Sequence, residues 1–174
     1  YQDETELSAA ACKYCAAGAE FVSTGVVCDL CAVGKYQHEN AAASVDCSFC
    51  SPGTEYVDTE SNCTICATGK YQEEKAGTSV RCKFCVAGKQ FVLKSIACTI
   101  CPAGKFHGNS SEASAVCSDC PTGRYLTDAA SAEGEHDAKI DCLFCAKGKQ
   151  FTTKTTSCNS CILGKYHNSS NEAS

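Results

Sequence analysis

The chain has little from which to build an ordinary apolar core. Leu, Ile, Val and Phe together make 28 of 174 residues, about 16%. That is below the roughly 20% typical of chains that fold around such a core. Basic excess is also missing: 15 Lys and Arg stand against 20 Asp and Glu, a net charge of −5. This excludes a strongly basic nucleic-acid face and a polybasic membrane patch. No apolar run approaches the roughly 20 residues of a membrane helix, so membrane contact is not expected in this stretch. No signal peptide is visible.

What is abundant is cysteine, 18 of 174 residues. At about one residue in ten, this is the range of a disulfide scaffold, in which covalent links replace a core. All the cysteines fall in Cys-x-x-Cys pairs: Cys12/Cys15, Cys28/Cys31, Cys47/Cys50, Cys63/Cys66, Cys82/Cys85, Cys98/Cys101, Cys117/Cys120, Cys142/Cys145 and Cys158/Cys161. The intervals between successive first cysteines run 16, 19, 16, 19, 16, 19, 25, 16. Two unit types alternate, giving a 35-residue double repeat with one slip.

The short unit reads Cys-x-x-Cys-x-x-Gly-x-x-(Phe/Tyr), as in CKFCVAGKQF. The long unit reads Cys-x-x-Cys-x-x-Gly-(Lys/Arg)-(Tyr/Phe), as in CDLCAVGKY. All 14 aromatic residues occupy repeat positions. Tyr1 precedes Cys12 by the same interval as Tyr36 precedes Cys47, so Tyr1 reads as the aromatic of a truncated long unit. NSSNEAS at 168–174 resembles NSSEAS at 109–114, which runs into Cys117. The chain therefore reads as a window on a longer repetitive protein: 1–11 ends a truncated repeat, 12–46, 47–81 and 82–116 are double repeats, 117–141 is a single long repeat with an insertion, and 142–174 is a truncated double repeat.

The glycine after each pair suggests a tight turn. The expected fold class is small disulfide-rich repeats, an elongated ladder of short β-hairpins and loops with little or no helix. FVSTGVVC and FVLKSIAC have β-branched, strand-like content. Two disulfide topologies compete. In a neighbour ladder the bonds are Cys15–Cys28, Cys31–Cys47, Cys50–Cys63, Cys66–Cys82, Cys85–Cys98, Cys101–Cys117, Cys120–Cys142 and Cys145–Cys158, and Cys12 and Cys161 bond beyond the window. In closed modules Cys12 would bond Cys28 and Cys15 would bond Cys31, stranding Cys117 and Cys120. The ladder is favoured because it absorbs the odd ninth pair. Each ladder bond closes a loop worth on the order of 3 kcal/mol by chain entropy. Cross-links between neighbours alone make a quasi-one-dimensional chain, expected as a rod or ribbon.

At CTICPAGKF and CSDCPTGRY the pattern resembles the ephrin-receptor-like cysteine-rich repeat, with its Cys-x-x-Cys-Pro-x-Gly-x-Tyr signature. It is also similar to the first module of tumour-necrosis-factor-receptor repeats, in which such a loop is closed by the next cysteine, and that similarity supports the ladder. Only Pro52, Pro102 and Pro121 are present, so most units lack the signature proline. The resemblance implies an extracellular β-hairpin scaffold, of the kind used as a spacer in large surface proteins. It implies neither a kinase nor a cytokine ligand.

Among candidate sites, Asn109 and Asn168 begin sequons in equivalent long-unit loops and are expected to carry N-linked glycans. Asn62 is a third sequon, beside Cys63. Zinc is a remote alternative, because the spacing of successive pairs also suits zinc ribbons. The uniform intervals form no four-ligand islands, so no metal or other cofactor is expected. Lys35, Lys70, Lys105, Arg124 and Lys165 recur after the glycines and read as a solvated row whose stems cover the disulfides. Glu133, Glu135, His136 and Asp137 read as an exposed acidic loop rather than a cation site. His38, His107, His136 and His167 lack ligand spacing, and no catalytic set is visible.

These readings point to a structural, non-enzymatic protein, extracellular or at the cell surface. Its repeats would build a stiff stalk or a polymeric surface fibre of the flagellar-hair or matrix-filament type. Its partners would be copies of itself or further repeats of the same chain. A ligand-binding receptor ectodomain or surface coat antigen is the alternative, kept in view by the singular loop at 121–141.

Overall fold

The structure is a computed structural model and describes residues 11–170. Tyr1 and the last residues of the 168–174 segment, which carry the truncated-repeat reading, lie outside the described residues.

The fold starts from the glycine turns. Nine glycines, one in each unit, have φ between 75° and 87°. Eight of the turns are closed by an amide three residues beyond the accepting carbonyl, at 3.0–3.3 Å. A glycine at the third position with φ of about +80° is the geometry of a type II turn, which a side chain disfavours there.

Among the described residues, seven of the turns launch a minimal hairpin. The two residues after the glycine pair with the two residues inside the next Cys-x-x-Cys. Ala19–Glu20 thus pairs with Asp29–Leu30, and Lys35–Tyr36 with Ser48–Phe49. Thr54–Glu55 pairs with Thr64–Ile65, and Lys89–Gln90 with Thr99–Ile100. Lys105–Phe106 pairs with Ser118–Asp119, Arg124–Tyr125 with Leu143–Phe144, and Lys149–Gln150 with Asn159–Ser160. A single Tyr71–Lys83 bridge stands at the equivalent place in the fourth unit.

The fold class is therefore a series of small disulfide-rich hairpin repeats with almost no helix. One expectation is corrected: FVSTGVVC and FVLKSIAC are not strands but turns and irregular loop. Their β-branched residues have no facing strand, and Val22, Val26, Val27, Val92 and Ile96 are exposed. The only helical residues described are two short 3₁₀ turns in the insertion, Glu133–Glu135 and Lys139–Asp141.

Eight disulfides run from the second cysteine of one pair to the first cysteine of the next, from Cys15–Cys28 through Cys145–Cys158. This is the neighbour-ladder arrangement, not the closed-module one. Cys12 and Cys161 are unpaired. The buried apolar set is dominated by these cysteines; otherwise it contains Ala19, Val45, Val80, Ala115 and Leu126.

The chain forms two compact parts. The first comprises the described part of Tyr1–Ala67 with Tyr71–Lys83 and Lys94–Ile96. The second comprises Thr68–Lys70, Phe84–Leu93 and the described part of Ala97–Ser174.

Candidate functional site

The repeated site of this molecule is the seat that one unit makes for another. Because each turn glycine has no side chain, a loop can lie directly on it. In the first part, Gly18 is covered by Thr59 and Glu60, Gly34 by Thr78 and Ser79, and Gly53 by Lys94 and Ser95. In the second part, Gly69 is covered by Ala113 and Ser114, Gly88 by Glu133, and Gly104 by Lys154 and Thr155. In all six, the covering loop belongs to the second unit further along the chain. A Cβ on Gly34 would lie 2.5 Å from the Thr78 Cα, and one on Gly69 would overlap the Ser114 amide nitrogen.

Backbone hydrogen bonds accompany the seats. The Gly18 amide donates to the Gln37 carbonyl at 2.7 Å, and the Gln37 amide donates onward to the Thr59 carbonyl at 3.0 Å. Gly53, Gln72 and Lys94 repeat this relay at 2.8 and 2.8 Å. Gly104, Leu126 and Lys154 repeat it at 2.9 and 2.8 Å. The relay residues follow the long-unit aromatics, and Gln37, Gln72, His107 and Leu126 are all buried. Reading the sequence did not single out this position, because the side chains differ and His107 was read only as lacking ligand spacing; the position recurs for its backbone groups. The available signal was positional, directly after each long-unit aromatic.

In three long units the basic residue meets the ring inside the next Cys-x-x-Cys. Lys35 lies 5.3 Å from the Phe49 ring centre, Lys70 lies 4.8 Å from that of Phe84, and the Arg124 guanidinium lies 3.9 Å from that of Phe144. This corrects the expectation for those three residues: their heads lie over rings. Such contacts contribute about 0.5–1 kcal/mol when exposed. Asp119 takes the ring's place where the alternation slips, and it accepts from Lys105 at 3.0 Å and Lys154 at 3.5 Å. The hydrogen bond from Lys105, then the charges of Lys105 and Lys154, hold the Asp119 carboxyl below its ordinary value.

The insertion is tied inward by His136, which is fully buried. Its Nδ1 lies 2.8 Å from the Lys105 carbonyl and its Nε2 lies 2.9 Å from Asp128 Oδ2. Asp128 also accepts from the Ser131 hydroxyl and from the Ser131 and Ala132 amides. The hydrogen bond from Ser131, with those from His136 and the two amides, outweighs partial burial and holds the Asp128 carboxyl well below its ordinary value. His136 therefore does not share the exposed acidic loop in which the sequence placed it. Glu133, Glu135 and Asp137 are exposed, and Glu133 pairs with Lys89 at 2.5 Å. Among the described residues, no three His, Cys, Asp or Glu side chains gather as metal ligands.

The sequon residues Asn62, Asn109 and Asn168 are all exposed. The Asn109 side-chain oxygen accepts from the Ser111 amide at 3.0 Å. Asn62 sits beside Cys63, which is bonded to Cys50. A groove of about 860 Å³ runs along the insertion past Leu126, Asp128, Glu135, Ile140 and Leu143. Among the described residues no helix is long and apolar enough to cross a membrane. Disulfides in this number belong to an oxidising, extracytoplasmic setting. No family model matches the chain, and no curated protein is significantly similar to it in sequence.

Proposed function

We propose that the chain is a structural, non-enzymatic segment of an extracellular stalk or polymeric surface fibre. The observation that carries this reading is the seat itself. Six turn glycines are covered in the same way, each by the second unit onward, so the repeated surfaces are used for joining unit to unit. A recognition module would instead leave a distinctive surface free. The resemblance of CTICPAGKF and CSDCPTGRY to ephrin-receptor-like and tumour-necrosis-factor-receptor-like repeats supports an extracellular spacer. The partners are copies of the chain or further repeats, with N-linked glycans at Asn109, Asn168 and Asn62.

The groove along the insertion favours the second reading, a receptor ectodomain or coat antigen, because no other unit has that loop. Electron microscopy of the native material separates the two. Continuous fibres with a regular axial repeat are expected; dispersed short particles or a membrane-attached lawn would give precedence to the second reading. Peptide mapping after glycosidase treatment in heavy-oxygen water is expected to mark Asn109 and Asn168 as aspartate. Unmodified asparagine at both positions would remove the glycan assignment.

A further inference from the structure

One relay differs from the others in where it ends. Those from Gly18, Gly53 and Gly104 end on Thr59, Lys94 and Lys154, all in short-unit loops. The second unit onward from Gly88 opens at Cys117 and is of the long type, because the alternation slips there. The insertion supplies the missing short loop. The Gly88 amide donates to the His107 carbonyl at 2.7 Å, the His107 amide donates to the His136 carbonyl at 2.9 Å, and the Glu133 carbonyl lies over Gly88. All of these residues lie in the second part of the chain. Thr59, Lys94 and Lys154 are half-buried, whereas His136 is fully buried. The Gly88 seat therefore hangs on a ring.

That ring meets only acceptors. Its Nδ1 faces the Lys105 carbonyl and its Nε2 faces Asp128 Oδ2. Asp128 stays ionised at neutral pH, because the Ser131 hydroxyl first, and then His136 and the Ser131 and Ala132 amides, favour its charged form. Neither a carbonyl nor a carboxylate offers a proton, and a neutral imidazole has a single N–H. Two hydrogen bonds to these two acceptors need both ring nitrogens protonated. The other charges nearby are committed elsewhere or face water. The Lys105 ammonium turns to Asp119 at 3.0 Å, Lys89 pairs with Glu133, and Glu135, Asp137 and Lys139 are exposed. The His107 ring, beside the Lys105–Phe106 strand, has its Nε2 3.2 Å from Glu112. Asp128 is thus the counter-charge of His136.

We propose that His136 is a latch carrying both ring protons, and that it makes the Gly88 seat a pH-sensitive joint between repeats. Loss of one proton turns a bare Nε2 toward the Asp128 carboxylate, in a place where a buried group without its hydrogen bond is costly. The ring then leaves, and the His136 carbonyl and the Glu133 cover leave with it. An unfolded histidine titrates near about 6.5. Above that value the folded chain keeps a proton that the unfolded chain has released. The latch's contribution is therefore fully present below about 6.5 and is lost as pH rises. The relays ending on Thr59, Lys94 and Lys154 have no such ring and stay closed. Alkali opens the one joint at which the alternation slips and leaves the others intact. This holds whatever the whole chain assembles into.

The test is nitrogen NMR of the full, disulfide-bonded chain with labelled histidine rings, titrated from neutral pH into alkali. At pH 7 both His136 nitrogens are expected to have the shift of N–H nitrogens. As pH rises, the Gly88 amide signal is expected to move with the midpoint of the His136 ring, while those of Gly18 and Gly53 stay in place. His107→Gln removes the neighbouring ring, using the residue type that Gln37 and Gln72 show is accepted there, and should keep the Gly88 step. Asp128→Asn is expected to leave one bare nitrogen on the His136 ring at pH 7, since the new amide can donate to it. A bare His136 nitrogen at pH 7 in the parent chain would overturn the latch, as would both protons retained in Asp128→Asn. A Gly88 step that follows the His107 ring and vanishes in His107→Gln, or equal shifts at Gly18 and Gly53, would overturn the joint.

Discussion

At the scale of single residues, a glycine here does two things at once. It takes the left-handed turn conformation, and it leaves room for a loop from two units away. The two roles separate experimentally because Gly69 and Gly148 share φ near 75–77° but differ in cover. Gly148→Ala meets no neighbour, so it carries only the backbone penalty of about 1–2 kcal/mol. Gly69→Ala also drives a Cβ into the Ser114 amide, which cannot step aside as a flexible side chain can. Overpacking adds about 1–3 kcal/mol, for a total of about 2–5 kcal/mol. Guanidinium unfolding followed by tyrosine fluorescence measures the difference; the chain has 7 Tyr and no Trp. Equal losses at the two positions would mean that the loop does not bear on the glycine. The turn was legible in the sequence, because glycine recurs at a fixed place after each pair. The cover was not: Ser79 and Ser114 recur three residues before a first cysteine, but Thr59–Glu60 does not share that place, and nothing in the recurrence points to a glycine two units back. What they share is backbone shape.

At the scale of elements, seven strand pairs of two residues each have almost no stability of their own, and a lone hairpin in water is marginal at best. The disulfide at one end, and at the other a ring under Lys35 or Arg124 or the Asp119 carboxylate on Lys105, hold the long-unit pairs. This is why FVSTGVVC and FVLKSIAC misled as strands: β-branched content needs a partner strand, and here the chain between the cysteines only has to return. The insertion shows a different limit. Its charge pattern was legible as acidic, but His136 faces Asp128 and the Lys105 carbonyl, a partnership across 31 residues that no spacing encodes. The Asp128 carboxyl is depressed in the folded chain below its unfolded value of about 3.9. Its stabilising contribution is therefore fully present above that value and is lost as pH falls through the lower, folded one. Because the folded carboxyl stays ionised well below its ordinary value, the Ser131 and Ala132 amide signals are expected to hold their folded positions as pH falls past about 3.9 and to lose them only in strong acid. Asp128→Asn should show displaced signals already at pH 7 and no such acid step. The same acid step in the variant would assign the loosening to other carboxylates.

At the scale of the whole chain, the cysteine pattern acts as a linear code. Each bond joins adjacent pairs, so spacing alone was enough to count the units and to frame the ladder, and a sparse apolar composition was no obstacle. The seats add a second, longer link, from each unit to the second one onward, and that link left no trace in the spacing. Together they predict how damage spreads. Replacing Cys66 and Cys82 by serine removes a cross-link worth about 3 kcal/mol by chain entropy. It frees the loop that covers Gly34 through Thr78 and Ser79, and it releases the Val80 carbonyl that accepts from the Tyr56 amide at 2.9 Å. Amide exchange should therefore rise at 67–82, at the Gly34 turn and at Tyr56, while the Cys145–Cys158 hairpin keeps its protection, because units linked only to near neighbours open locally. Uniform loss of protection along the chain would show a single cooperative fold instead. A chain that opens in this way can lose one link without releasing the links beyond the next two.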